Sequence, residues 1–136
     1  MVPYASAALG VNVTVFPLTA MVPDKLPTKK DVEALLREAR RVLRPGGHVI
    51  ALGPNLRFLP GDYWDFWDHL TPITDRSLVE VLENLDFRTT DCIPRWLPYT
   101  TRSALPQSTF LVRLYLHVPL AWRFLGGQFL IRARKP

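Results

Sequence analysis

The stretch from Thr28 to Leu52 admits few structures. Thr28 with Asp31 is a helix-start pattern, and Val32, Leu35, Leu36, Ala39, Val42 and Leu43 recur behind it at helical spacing. Glu33 stands one helical turn before Arg37, and Arg40, Arg41 and Arg44 crowd the final turns, where cations suit the helix dipole. Pro45, Gly46 and Gly47 then stop the helix. His48 to Leu52 follows as a short apolar run between glycines, the pattern of a strand buried on both faces in a parallel sheet. The unit recurs: Thr74 caps a second helix with apolar Leu78, Val81, Leu82 and Leu85, and a turn at Asp86 leads into a strand from Phe87 to Ile93. Helix, strand, helix, strand sets the class as α/β.

Three further pieces surround these units. Val11, Val13, Val15 and Phe16 read as a strand, and a proline-punctuated stretch after Ile93 holds one helix from about Thr109. In the closing run from Gln128 to Arg134, Phe129, Ile131 and Ala133 alternate with Leu130, Arg132 and Arg134, a final strand whose basic side suggests a place at or near a sheet edge. A loop from Gly53 to Ile73, dense in aromatics and aspartates, separates the two helix–strand units.

Composition removes several classes. At 136 residues, 48% hydrophobic and 21% charged, one globular domain is expected. Cys92 is the single cysteine, which excludes an intramolecular disulfide and a cysteine zinc site and fits a reducing cytoplasm; it reads as a small buried hydrophobe. The net charge of +5, with thirteen of the seventeen basic residues arginine, suits an anionic partner. Those residues are dispersed and no nucleic-acid-binding pattern accompanies them, so nucleic acid is not the expected partner. No charged residue precedes Asp24, yet Pro3, Asn12 and Pro17 interrupt that stretch, so neither a signal peptide nor a membrane span is expected there. Arg113, His117 and Arg123 break the apolar run from Phe110 to Leu130 in the same way. Metal-ligand spacing is missing, as are a glycine-rich phosphate cradle and a Ser-His-Asp arrangement.

The string Leu36-Arg37-Glu38-Ala39-Arg40-Arg41-Val42-Leu43-Arg44-Pro45-Gly46-Gly47-His48-Val49-Ile50-Ala51 resembles the helix, turn and fifth strand of class I S-adenosylmethionine-dependent methyltransferases. Asn84-Leu85-Asp86-Phe87 resembles the turn before that family's sixth strand, and Gln128 to Pro136 resembles its seventh, which runs antiparallel to the rest. The resemblance covers residues 26–136 and leaves residues 1–25 as an unmatched N-terminal segment. It implies a partial Rossmann-like methyltransferase sheet with flanking helices and a C-terminal antiparallel strand. It also implies a small-molecule methyl acceptor and S-adenosyl-L-methionine as cofactor. The family holds that cofactor with a glycine-rich turn after the first strand and an acidic residue after the second, and neither is present; the cofactor-binding residues are therefore unknown. The chain starts near the family's fourth strand, which suggests a truncated or frame-shifted reading of a longer gene, with a cut sheet edge open to self-association. The competing reading is a non-enzymatic α/β domain that uses the sheet edge and the aromatic loop to bind a protein.

Candidate site residues follow from position. Asn55 and Arg57 come directly after the His48 strand, where they either hydrogen-bond a polar acceptor or satisfy strand-end carbonyls. In the loop beyond, Asp68 can orient His69 as a general base while Tyr63 and Trp64 wall an acceptor pocket. Equally, the tryptophans pack the loop on the sheet and His69 caps the next segment. Arg95, Trp96, Pro98, Tyr99 and Arg102, with Arg113, Tyr115 and His117, form a second aromatic and basic cluster. It suits an anionic or sugar-like acceptor, or else serves as a rigid cover with snorkelling arginines.

Overall fold

The computed structural model describes residues 28–59, 61, 64–65, 71–99 and 108–136, together with the backbone of 13–17. The elements are β1 (Val13–Pro17), α1 (Lys29–Val42), β2 (His48–Pro54), a short 3-10 turn (Leu56–Phe58), α2 (Asp75–Asn84), β3 (Arg88–Ile93), α3 (Thr109–Leu116), α4 (Pro119–Leu125) and β4 (Gln128–Arg134).

Local chemistry sets the helix ends. At α1 the Asp31 amide donates to Thr28 Oγ1 at 3.3 Å and the Thr28 amide donates back to the Asp31 carboxylate at 2.7 Å, which satisfies two donors that a helix start leaves open. Thr74 and Ser77 make the corresponding exchange at α2, at 3.1 and 3.0 Å. The C-terminal carbonyls of α1 receive the ammonium of Lys135, 2.6 Å from the Arg40 oxygen and 2.7 Å from that of Leu43. Gly46 turns the chain at φ +81°, a backbone that side-chain-bearing residues avoid. The turn after α2 gives the same left-handed task to Asp86, at φ 55°.

The four strands form one sheet in the order β1-β2-β4-β3. β1 pairs parallel with β2, from Val13 opposite His48 to Pro17 opposite Leu52. β4 runs antiparallel to both neighbours, setting Phe129 opposite Gly53 of β2 and Ile131 opposite Cys92 of β3. β1, β2 and β3 therefore point the same way, and their carboxyl ends share one rim. Helices α1 and α2 pack on a single face. Val32, Leu36 and Ala39 of α1 and Leu78 and Leu82 of α2 close over Val49, Ala51, Phe129, Ile131 and Ala133, all nearly or fully buried. Small Ala51 and Ala133 admit the helices closely, and each large side chain shut away contributes about 1.5–3 kcal/mol.

Three expectations are corrected. β2 is buried on one face only: Val49, Ala51 and Gly53 are covered while His48, Ile50 and Leu52 are half-buried, because both helices lie on the same side. β4 lies near an edge, as expected, one strand in from the outer β3, and its basic side chains leave through the face of the sheet, where Arg132 meets Asp91 at 2.6 Å. The stretch after Ser108 holds two helices, since Pro119 has no amide to continue α3 and instead opens α4. Cys92 is exposed, on β3 at the edge of the sheet beside Thr89, Glu80 and Asp75. Partial desolvation pushes its thiol above the usual range, and the Asp75 carboxylate adds to this. Val11 lies outside the described residues.

Gly126, at the turn into β4, is required by close backbone approach. A Cβ there would lie 2.5 Å from the Trp122 oxygen and 2.6 Å from the Arg95 carbonyl carbon, whereas at Gly61 it would meet nothing within 4 Å. Gly126→Ala should destabilise the fold by about 2–3 kcal/mol and Gly61→Ala by less than about 0.5 kcal/mol. Thermal unfolding of the two variants side by side checks this; equal melting temperatures would contradict it.

Candidate functional site

The rim at the carboxyl ends of the parallel strands is where open α/β sheets place a ligand crevice. β2 leaves the sheet there through Asn55, which is completely buried. Its amide nitrogen donates to the Asp75 carboxylate and to the Pro94 carbonyl, each at 2.9 Å. Its side-chain oxygen accepts from the backbone amides of Arg57 at 3.3 Å and Asp75 at 3.4 Å. Its backbone amide donates to the Gly127 carbonyl at 2.9 Å. One residue thus ties the end of β2 to the start of α2, the exit of β3 and the turn into β4. The Asn55 side chain is engaged by the chain's own groups, among them the Pro94 carbonyl just beyond the β3 end.

Asp75 is 4% exposed and sits in the first turn of α2, where the helix dipole favours a carboxylate. Arg57 Nη1 donates to both of its oxygens, at 2.9 and 2.8 Å. The Arg57 side chain remains about one-third exposed, at 34%, so the pair spans from the interior to the rim surface. The guanidinium also lies over the Phe58 ring, 5.2 Å from its centroid.

Arg95 approaches the same ring, 4.7 Å from the centroid. Its Nε donates to the Gly126 carbonyl at 2.8 Å and Nη2 to that of Phe124 at 3.1 Å, so a cation neutralises the C-terminal end of α4. Phe58 is the apolar surface on which two guanidinium groups converge. Tyr99 is half-buried against Gly127, where an added Cβ would stand 2.9 Å from that of Tyr99. Tyr115 Oη donates to the Trp96 carbonyl, and Trp122 Nε1 donates to the Tyr115 carbonyl at 2.9 Å. Desolvation pushes the Tyr115 phenol above its ordinary range, opposed in part by Arg95, so the phenol stays a neutral donor.

The structure joins Asn55 to Arg57 through Asp75 and Arg57 to Arg95 through Phe58, two residues that sequence reasoning passed over, and sets Tyr99 against Gly127, to which the Asn55 amide donates. Asp75 reads in sequence as an ordinary first-turn acid after the Thr74 cap, and its distance along the chain from Asn55 hides the pairing. Trp64 is 52% exposed. Arg113 and His117 lie exposed on and just after α3, with His117 Nδ1 2.7 Å from the Arg113 carbonyl. Tyr63, Asp68, His69 and Arg102 lie outside the described residues.

At two described glycines of the rim the space is already taken: a Cβ at Gly126 would meet the backbone of Trp122 and of Arg95–Trp96, and one at Gly127 would meet Leu59 and Tyr99, while Gly46 stands at the opposite rim against Arg134. Among the described residues no group of three or more His, Cys, Asp or Glu could hold a metal ion. A groove of about 260 Å³ between α1 and α2, lined by Val32, Ile73, Leu78 and Val81, belongs to the helical layer.

The buried carboxylate makes this site sensitive to the loss of its cation. Arg57→Met should destabilise by about 3 kcal/mol, because the buried Asp75 carboxylate loses its cationic partner and keeps only the Asn55 donor and the helix start, and adding Asp75→Asn should recover part of that loss. Denaturant unfolding of both singles and the double checks the cycle; strict additivity would contradict the pairing.

Solved proteins share this architecture. The chain is similar to a SAM-dependent methyltransferase from Archaeoglobus fulgidus, with a TM-score of 0.56 and 14% identity over 91% of this chain and 59% of that one. It is also similar to geranyl diphosphate C-methyltransferase from Streptomyces coelicolor A3(2), whose structure holds Mg2+, geranyl diphosphate and S-adenosyl-L-homocysteine, with a TM-score of 0.55 and 15% identity over 93% of this chain and 47% of that one. The chain spans part of the length of either protein. No family model and no curated protein sequence matches it. The mixed α/β sheet described above is similar in fold to part of these Rossmann-like methyltransferase structures.

Proposed function

We propose that the chain forms the acceptor-side half of an S-adenosylmethionine-dependent methyltransferase domain. The sheet carries this reading: three parallel strands with an antiparallel strand set between the second and third, on a methyltransferase-like fold. The rim with Arg57, Phe58, Arg95 and Tyr99 is the wall against which a small methyl acceptor rests, and its cations and aromatic faces suit an anionic or sugar-like one. The cofactor is assigned to residues other than those described, because the glycine-rich turn with which the family holds it is missing from this sequence. Among the described residues β1 pairs on one side only, so its outer edge is the seam toward the rest of the sheet and a surface through which copies of the chain associate.

In this reading His69, in the loop that leaves the carboxyl end of β2, accepts the proton of the acceptor's O–H or N–H, and Asp68 holds the imidazole in one tautomer.

Two measurements test the proposal. Translation of the DNA upstream of the first codon should reveal a glycine-rich strand–turn–helix motif. The chain extended through it should bind S-adenosylhomocysteine in calorimetry at about micromolar Kd, whereas the 136-residue chain shows no heat of binding. Micromolar binding by the shorter chain, or an upstream region without the motif, would overturn the half-domain reading; the latter favours the protein-interaction domain. In the extended protein, His69→Ala and His69→Gln should each lower turnover about a hundredfold with unchanged melting. Near-normal turnover with a lowered melting temperature would return His69 to a packing role.

A further inference from the structure

We propose that α3 and α4 form a docking surface for an anionic lipid bilayer. This goes beyond the methyltransferase reading and does not rest on it. Phe110, Val112 and Leu114 of α3 and Leu120, Phe124 and Leu125 of α4 are all exposed, Phe110 and Phe124 to 71% and 70%. No residue of either helix is buried. A helix that packs on a sheet shows one apolar stripe with polar residues opposite. Here apolar side chains point outward around most of α3, and the polar groups that do exist anchor the helices inward: Tyr115 bonds the Trp96 carbonyl, Trp122 bonds the Tyr115 carbonyl, and Arg95 closes the end of α4. The apolar surface is thus held outward by specific hydrogen bonds.

Charge selects the occupant. The charged residues of the two helices are Arg113 and Arg123, both exposed. After Asp91 every charged residue of the sequence is Arg or Lys, while the acidic residues lie earlier in the chain. An apolar surface that carries two exposed arginines and no acidic residue complements the boundary between acyl chains and anionic headgroups. Helices of 8 and 7 residues are about 12 and 10 Å long, far short of a bilayer core, and among the described residues no helix is long and apolar enough to cross a membrane. They lie in the interface plane, with the Arg113 and Arg123 guanidinium groups at headgroup level. α3 and α4 lead directly into β4 through Gly126 and Gly127, so docking sets the carboxyl rim of the sheet next to the lipid surface.

Co-sedimentation of the full chain with vesicles tests the surface. The chain should pellet with vesicles of phosphatidylglycerol and phosphatidylcholine in equal parts, far less with phosphatidylcholine alone, and less as salt is raised. Phe110→Ser with Phe124→Ser should lower the partition coefficient about tenfold per residue, and Arg113→Gln with Arg123→Gln about fivefold per residue on the anionic vesicles only. Since these side chains are exposed, circular-dichroism melts of both double variants should match the wild type. Failure of the wild type to bind anionic vesicles would overturn the proposal, as would equal binding to both vesicle types or full binding by the phenylalanine variant. A soluble oligomer that this variant dissolves, without vesicle binding, would reassign the surface to contact between protein chains.

Discussion

The carboxamide of Asn55 is the constraint on which the rim depends. It is completely buried, and its two donors and one acceptor oxygen meet Asp75, the Pro94 carbonyl and the backbone amides of Arg57 and Asp75. No other side chain of this size presents both two donors and an acceptor in one plane. An aspartate there would set a second carboxylate against Asp75, and a leucine would leave each partner buried and unpaired, at about 1–3 kcal/mol for each group. With the amide in place, the end of β2, the start of α2, the exit of β3 and the turn into β4 hold one geometry. Arg57, bound to Asp75, and Arg95 both approach the Phe58 ring beside it.

Much of the scaffold is written in short-range chemistry. The Thr28–Asp31 and Thr74–Ser77 caps, the Gly46 turn and the spacing of Val32, Leu36, Ala39 and of Leu78, Leu82 lead directly to α1 and α2 and to the face they bury. The place of β4 is not local information. Its alternation of apolar and basic residues shows which side faces water, but a basic face and a basic edge look alike in one dimension, and only the pairing with β2 and β3 separates them. Cys92 misleads for a related reason: it stands opposite the buried Ile131, yet its strand is the edge of the sheet, with a burial pattern far more open than that of β2.

The site was half legible. Asn55 and Arg57 stand out because they follow a strand end, and Arg95 and Tyr99 because they form a basic aromatic cluster. What each does depends on a partner far along the chain, Asp75 for the first two and the α4 carbonyls for Arg95, and no spacing rule links them. The glycines show the same limit from the other side. Gly126 and Gly127 look like a loop in sequence, whereas at Gly126 the Arg95–Trp96 backbone and the Trp122 carbonyl of α4 come too close to admit a Cβ.

Native-state amide hydrogen exchange tests the central claim, that the rim is knotted to the core and opens with it. Slow exchange is expected for the amides of Asn55, donated to Gly127, of Trp96, donated to Gln128, and of Gly127, donated to Leu97. These amides should exchange with the same free energy and denaturant dependence as those of Val49 and Ile131 in the sheet, because breaking the Asn55 contacts requires global unfolding. Exchange of the three rim amides through a separate, denaturant-independent opening several kcal/mol below the core would contradict this account.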